Sequence, residues 1–240
     1  MKTNIIYGLV LATGFLLASC DTESIKVSNE VSTREYSFTD FDELEVSGDF
    51  DVFVRFSDTE ESITVEANTN VQDRIIVSKG ENRLRVQLEN RVSIRGNATL
   101  KVYITTQNIS SYRISGDSFV ELENVLLSTN VSINVLGDSR FLGEVDTNNL
   151  LIDINGDSEV DVFGEASRLN ADLSGDSELR DYDLSIEDLI LTLSGDSIAF
   201  LSVANTIDVN ATGDSELNYR GEAEIVRQRL SGDARINKRD

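Results

Sequence analysis

The sequence contains no histidine, no tryptophan and no proline, and Cys20 is its single cysteine. With one cysteine, no disulfide can form within the chain even in an oxidising compartment. The lack of histidine removes the commonest general acid and base from any catalytic site. Basic residues are scarce as well, since 21 Lys and Arg stand against 43 Asp and Glu, and the formal net charge is −22. Nucleic acid is therefore excluded as a partner, because phosphate binding requires clustered basic side chains.

The chain also lacks an apolar run long enough for a stable transmembrane helix, because the stretch 5–17 is short and rich in small residues. This stretch follows Lys2 and precedes Leu17-Ala18-Ser19-Cys20, which is typical of an export signal. The tetrapeptide resembles the bacterial lipobox, which predicts a signal peptide over 1–19 and lipidation of Cys20. An ordinary secretory signal with a chance cysteine is the alternative. We expect a cell-envelope protein anchored to the outer membrane by lipid, on a face that the sequence does not identify.

Three further regions follow the signal. Residues 20–37 are polar and weakly patterned, which predicts a flexible tether. From residue 38 to 111, apolar residues alternate in Val- and Ile-rich segments separated by Gly, Asn and Asp, which predicts an irregular N-terminal β section. Residues 112–240 form a regular repeat, and no helix is predicted after residue 20.

The repeat consists of an apolar residue, a small residue and then Gly-Asp-Ser, with Ala in place of Ser in the last copy. Its spacings are 21, 19, 19, 20, 18 and 19 residues. The glycines are Gly116, Gly137, Gly156, Gly175, Gly195, Gly213 and Gly232. Strands flank each phrase and a short third segment completes each period. This pattern predicts an all-β, single-stranded β-solenoid, similar to a β-helix, with coils of about 19 residues whose inward apolar residues form ladders.

The Gly-Asp-Ser phrase has a structural interpretation, because Gly adopts positive φ freely and the Asp and Ser side chains accept hydrogen bonds in a tight bend. If the corners align, neighbouring aspartates are about 4.8 Å apart and repel by about 1 kcal/mol even in water. Backbone donors, protonation or bound cations would offset this repulsion. Calcium is the candidate cofactor, although known calcium-binding solenoids repeat every nine residues. The candidate ligands are Asp117, Asp138, Asp157, Asp176, Asp196, Asp214 and Asp233.

Two other groups of residues carry alternative interpretations. Seven aromatic residues follow many of the corners, and we expect them to pack in the core or at edges, while an exposed stripe would indicate ligand binding. They are Tyr112, Phe119, Phe141, Phe163, Tyr182, Phe200 and Tyr219. The basic residues Arg83, Arg85, Arg91 and Arg95 indicate a strand face whose charges hinder edge pairing, or a docking patch for an acidic partner.

Catalysis is not expected. Glycoside hydrolysis needs two carboxylates in different environments, whereas a regular repeat gives its aspartates similar ones. We therefore assign no catalytic residue. A polysaccharide-active enzyme is the weakest of the functions considered.

The sequence resembles the putative autotransporter adhesin head domain family, also called the head GIN domain. The segments that carry the resemblance are the opening Phe38-x-x-Phe41-x-x-Leu44-x-Val46-x-Gly48, the strand 100–106 and the Ser-Gly-Asp-Ser phrases. The resemblance covers about residues 38–230, and it implies a β-helix-like fold on a secreted or surface lipoprotein of unassigned molecular function. We expect a non-catalytic cell-envelope module that binds a glycan or a protein. A structural spacer without a specific ligand, with or without bound cations, is the alternative.

Overall fold

The computed structural model describes residues 22–239, and the predicted signal peptide and Cys20 lie outside them. The described chain is almost entirely β-strand, and its one helical element is the single 3-10 turn Gln72–Arg74. None of the helical structure within 22–239 has the length and apolarity needed to cross a bilayer. The strands are, in chain order, β1 Glu23–Lys26, β2 Val31–Tyr36, β3 Glu43–Gly48, β4 Asp51–Phe56, β5 Ser62–Asn68, β6 Ile75–Gly80, β7 Arg83–Leu88, β8 Val92–Arg95, β9 Leu100–Thr106, β10 Ser111–Gly116, β11 Phe119–Leu122, β12 Leu126–Gly137, β13 Arg140–Gly156, β14 Glu159–Gly175, β15 Glu178–Arg180, β16 Leu184–Gly195, β17 Ile198–Gly213, β18 Glu216–Arg220, β19 Glu224–Gly232 and β20 Arg235–Lys238.

Parallel pairing between successive coils confirms the predicted β-solenoid. β12 pairs with β13, β13 with β14, β14 with β16 and β16 with β17, all in parallel. Each coil has three sides. We call the stretch before the Gly-Asp-Ser corner side 1, the stretch after the corner side 2, and the remainder side 3. In the coil of β14 these are residues 168–174, 159–163 and 164–166.

The core consists of apolar ladders that run along the solenoid axis. On side 1, one ladder contains Ile133, Ile152, Ala171 and Leu191, which pair rung by rung and are each at most 1% exposed. Burial of such side chains contributes about 1.5–3 kcal/mol each relative to exposure. A single coil cannot bury its own inward face, so each coil is stabilised by its neighbours.

The N-terminal section stacks its coils out of chain order. β3 lies between β7 and β10, and β4 lies between β9 and β11. The chain therefore completes the β3–β4 coil, builds the layer on one side of it, and returns to the other side with β10. As a result Gly48 and Gly116 are register partners in space, although no Gly-Asp phrase separates them in the sequence.

The predicted flexible tether over 20–37 is wrong for most of its length, because β1 and β2 lie within it. β1 pairs with β8 in parallel, and β2 pairs antiparallel with β5. Most side chains of β1 and β2 are exposed, so their apolar periodicity is too weak to predict strands. Hydrogen bonds hold the segment instead, including those from Asn68 Nδ2 to the Ser28 carbonyl and from the Ser28 amide to Asn70 Oδ1, both 2.8 Å.

The C-terminal coil forms an open end of the solenoid. β19 and β20 stack on β17 and β18, and within residues 22–239 no strand pairs with their outer edges. Val226 and Leu230 are consequently 57% and 40% exposed. The last 20 described residues, 220–239, contain six basic and three acidic side chains. The end coil is thus positive on an otherwise acidic molecule.

Candidate functional site

The corner glycines are required by both backbone conformation and stacking. The seven predicted corner glycines have φ between 77° and 92°. A Cβ built on any of them would lie 2.4–2.8 Å from the carbonyl oxygen of the corner glycine one coil earlier. Since no side chain fits at that distance, the glycines form a continuous column of touching backbones.

The corner aspartates lie on the outside of this column with exposed side chains. Their backbone amides donate to the carbonyl of the preceding corner glycine at 2.8–3.0 Å. Asp49 begins the column, and burial together with the charge of Asp117 raises the pKa of the Asp49 carboxyl. Among residues 22–239, no group of three or more His, Cys, Asp and Glu side chains is arranged to hold a metal ion. Calcium binding by this ladder stays a prediction.

The corner serines have a different environment from the aspartates. They are at most 1% exposed and include Ser118, Ser139, Ser158, Ser177, Ser197 and Ser215. Ser158 Oγ donates to the Gly137 carbonyl at 2.9 Å, and the Ser139 amide donates to Ser158 Oγ at 3.3 Å. The serines therefore connect adjacent coils, whereas the sequence had suggested equal roles for Asp and Ser.

The seven aromatic residues form no single exposed stripe in the described chain. Tyr112, Phe141 and Tyr219 are buried, and the others are half-buried. Tyr112 packs edge-on against Phe141 with ring centroids 5.1 Å apart. On the outside, Arg220 lies 4.0 Å above the ring of Tyr182. The expected core and edge packing is thus observed, and an aromatic binding stripe is not supported.

The basic cluster near the N-terminus is partly neutralised. Arg83 Nε donates to Glu43 Oε2 at 2.8 Å, and Arg85 donates to Glu45 at 3.0 Å. These arginines lie on β7, which is paired with β3 on one side and β6 on the other. Their charges therefore compensate neighbouring glutamates and do not protect an edge. Arg91 and Arg95 remain exposed beside β1.

One coil departs from the symmetry of the repeat. Asp161 on side 2 of the β14 coil is half-buried and faces Asp181, which follows the short strand β15. Burial, and then the charges of Asp181 and Glu159, raise the pKa of the Asp161 carboxyl. Asp161 is not one of the corner aspartates, so this asymmetry lies outside the Gly-Asp-Ser column.

A groove of about 440 Å³ lies where side 1 meets side 3, and it spans four successive coils from β10 to β14. Parallel register brings its residues together. Ser111, Ser132, Leu151 and Asn170 occupy successive rungs of one column, and Asn130, Asn149 and Arg168 occupy successive rungs of the next. Their sequence separations are close to one coil, and each residue faces outward on its strand, so in the sequence they look like ordinary solvent-facing positions.

The groove combines hydrogen-bonding groups with an apolar surface. Asn149 Nδ2 donates to Asn130 Oδ1 at 3.0 Å, which leaves the side-chain atoms Asn149 Oδ1 and Asn130 Nδ2 for a ligand. Leu151 is 48% exposed. Arg168 is exposed at the edge. Such a surface can hold a small polar molecule by hydrogen bonds and apolar contact.

Comparisons with known proteins place the chain in one family. The sequence profile described as putative auto-transporter adhesin, head GIN domain, matches residues 40–223. A putative lipid binding protein from Parabacteroides distasonis has a TM-score of 0.75 at 18% identity, covering 91% of this chain and 100% of that one. A putative adhesin from Bacteroides fragilis has a TM-score of 0.77 at 17% identity, covering 89% and 98%.

At these identities the two solved structures show a common fold. Comparison with functionally curated proteins gives no significant match. The profile, in contrast, matches most of the chain, including the N-terminal section and nearly all of the coils. The chain therefore belongs to the putative auto-transporter adhesin, head GIN domain family.

Proposed function

We propose that the protein is a non-catalytic lipoprotein of the cell envelope, held at the outer membrane through Cys20, whose solenoid binds an extracellular glycan. The observation that carries this proposal is the groove between sides 1 and 3. It joins amide and hydroxyl groups, an exposed leucine and one guanidinium on a strand framework. Sites on strands hold their groups more precisely than sites on loops do.

The size and lining of the groove favour a glycan over a protein partner. A volume of about 440 Å³ lies within the usual range of about 300–1,000 Å³ for small-molecule sites. A stable protein interface involves roughly 20–30 residues on each partner, whereas ten residues line this groove. The Ser and Asn side chains both donate and accept hydrogen bonds, as sugar hydroxyls do.

The family supports a binding role in the envelope. Its profile and one solved neighbour carry the name adhesin, and another neighbour carries the name lipid binding protein. A structural spacer is the alternative function, and such a spacer would need no ligand groove.

A pair of matched substitutions tests the proposal. Leu151→Arg would fill the groove, whereas Leu127→Arg would introduce the same side chain at a leucine that is 67% exposed and lies outside it. Binding of the full chain, purified in detergent, would be measured on an array of neutral and acidic glycans. We expect Leu151→Arg to abolish binding and Leu127→Arg to retain it.

Two results would contradict the proposal. If the wild-type protein bound no glycan, the spacer function would be favoured. If both variants bound glycan as the wild type does, the groove would not be the binding site. Protease treatment of intact cells would separately test exposure at the cell surface. Cleavage of the solenoid without cell lysis is the result expected for an adhesin.

A further inference from the structure

Building on the proposed function, we propose that the groove selects a sugar that bears one carboxylate, and that Arg168 binds this carboxylate. The proposal depends on the charge of Arg168, on its freedom from ion pairs and on its position beside hydroxyl and amide groups.

Arg168 is unusual because its surroundings are strongly acidic. Residues 114–219 contain three basic and 22 acidic residues. The other two basic residues, Arg140 and Arg180, both lie within 3.6 Å of Glu159 carboxylate oxygens. For Arg168, no carboxylate lies within 4.0 Å among the described residues. An arginine without a carboxylate partner on such a surface is available to an anionic ligand.

The nearest acidic neighbour of Arg168 along the ladder is already hydrogen-bonded elsewhere. Asp188 is the register partner of Arg168 on the next coil. Its Oδ1 accepts a hydrogen bond from Thr206 Oγ1, one coil further on. Arg168 instead lines the groove with Asn149 and Asn170. An arginine binds a carboxylate through two parallel hydrogen bonds, which fixes the orientation of the bound group.

The opposite border of the groove is negative on β13 and β14, whereas Arg113 and Asn134 occupy the same column on β10 and β12. Asp153 and Asp172 lie two residues beyond Leu151 and Asn170 on the same outward face of side 1. Burial, followed by the charge of Asp153, raises the pKa of the Asp172 carboxyl. Two adjacent carboxylates would repel a second anionic group. The groove therefore fits a ligand that is charged at the Arg168 end and neutral towards Asp153 and Asp172.

The test compares acidic sugars with neutral forms of the same shape. Oligosaccharides ending in galacturonate, glucuronate or N-acetylneuraminate would each be paired with the corresponding methyl ester, and binding to the full chain would be measured by calorimetry. We expect at least one acid to bind at least about ten-fold more tightly than its ester, because charge-assisted hydrogen bonds are about twice as strong as neutral ones.

Matched variants test whether the preference for the acid over its ester depends on Arg168. Arg168→Gln removes the charge and keeps an amide, and Arg140→Gln makes the same change at an exposed arginine on side 2. We expect Arg168→Gln to reduce affinity for the acid to that for the ester, and Arg140→Gln to leave it unchanged. Arg168→Lys should recover part of the preference, since the charge returns without the planar fork.

The failure of this inference differs from the failure of the proposed function. If acids and esters bound equally while Leu151→Arg still abolished binding, the groove would bind glycans but the carboxylate selection would be wrong. Tighter binding of a sugar phosphate than of every carboxylate would also overturn it. If no sugar bound at all, the proposed function itself would fail.

Discussion

At the scale of single residues, the three neighbouring residues of the Gly-Asp-Ser corner have three different roles. Gly provides the backbone conformation and the close approach between coils, and Ser joins coils through buried hydrogen bonds. Asp contributes only its backbone amide to the stack and directs its charge to solvent. The glycine and the serine therefore stabilise the corner, whereas the side chain of the aspartate makes no contribution to the stacking of the coils.

The stacking of the glycines can be tested with Gly156→Ala. The new Cβ would lie 2.5 Å from the Gly137 carbonyl oxygen at a φ of 92°, so we expect a loss of at least about 2 kcal/mol in the free energy of unfolding. Gly80→Ala is the control, since no heavy atom of the described chain, apart from Gly80 and its two chain neighbours, lies within 4 Å of its Cβ position. Chemical denaturation would measure both. Equal stabilities for the two variants would contradict the role of close stacking.

The buried hydroxyl of Tyr112 is expected to cost stability. Among the described residues it has no hydrogen-bond partner, and burial raises the pKa of Tyr112 well above its usual range. Tyr112→Phe should therefore raise the free energy of unfolding by about 1 kcal/mol. Ser158→Ala, which removes a buried hydroxyl with partners, should lower it by a similar amount. A less stable Tyr112→Phe variant in thermal melting would indicate that the hydroxyl is satisfied.

At the scale of elements, the regular coils were predictable and the N-terminal layers were not. The Gly-Asp-Ser period gives the coil length directly, because one phrase marks one corner. β7 and β9 form part of the same stack without that phrase, so their place beneath β3 and β4 is invisible to spacing. The groove was not predicted from the sequence, for another reason. Its residues are outward-facing and come from four coils, and only the register shows that they are neighbours.

The aspartate ladder allows a test of calcium binding. The carboxylates are exposed and, within residues 22–239, form no group of three suited to a metal. Calcium takes six to eight oxygen ligands, so if the ladder binds it, we expect calcium to raise the melting temperature more than magnesium does at equal ionic strength, because screening acts equally for both. Saturable heat in a calcium titration, lost in Asp157→Asn, is the second expected result, and equal effects of the two cations without such heat would contradict calcium binding.

The end coil combines an exposed strand edge with basic side chains. β19 carries exposed apolar residues, yet Arg229 lies on it and Arg235 begins β20, while Arg227 is paired with Asp208 of β17. Positive charges on two such ends repel each other, and charged edges hinder strand pairing between molecules. The acidic sides of two solenoids likewise repel each other.

At the scale of the whole molecule, charge controls stability. The formal net charge of −22 produces self-repulsion in the compact state. Burial, together with neighbouring carboxylates, raises the pKa values of Asp49, Asp161 and Asp172 above the ordinary value of 3.8. Folding thus favours the protonated forms of these groups. Their unfavourable contribution is present at neutral pH and is relieved as the pH falls through the raised values towards 3.8.

We therefore expect the melting temperature to rise as the pH is lowered from neutral towards the raised pKa values of these carboxyls. The pKa of Glu45, lowered mainly by the hydrogen bond from Arg85 against its own burial, acts in the opposite direction and limits the gain at lower pH. Asp161→Asn should be more stable than the wild type at pH 7 and should show a smaller rise on acidification. Calorimetry across this range would measure both. A melting temperature that falls steadily from pH 7 would contradict the prediction.

The out-of-order stacking of the first coils has a consequence for how the chain folds. β3 and β4 form the first coil along the chain, but the layer that supports them on one side comes only with residues 83–106, and the next coil begins at residue 111. The β3–β4 coil therefore becomes stable only after it pairs with segments that are distant in the sequence. Such non-local contacts slow folding. Once these N-terminal layers have folded, each later coil stacks on a coil that is already folded. The slow step thus belongs to the N-terminal hundred residues, and extending the solenoid by further coils would leave the folding rate nearly unchanged.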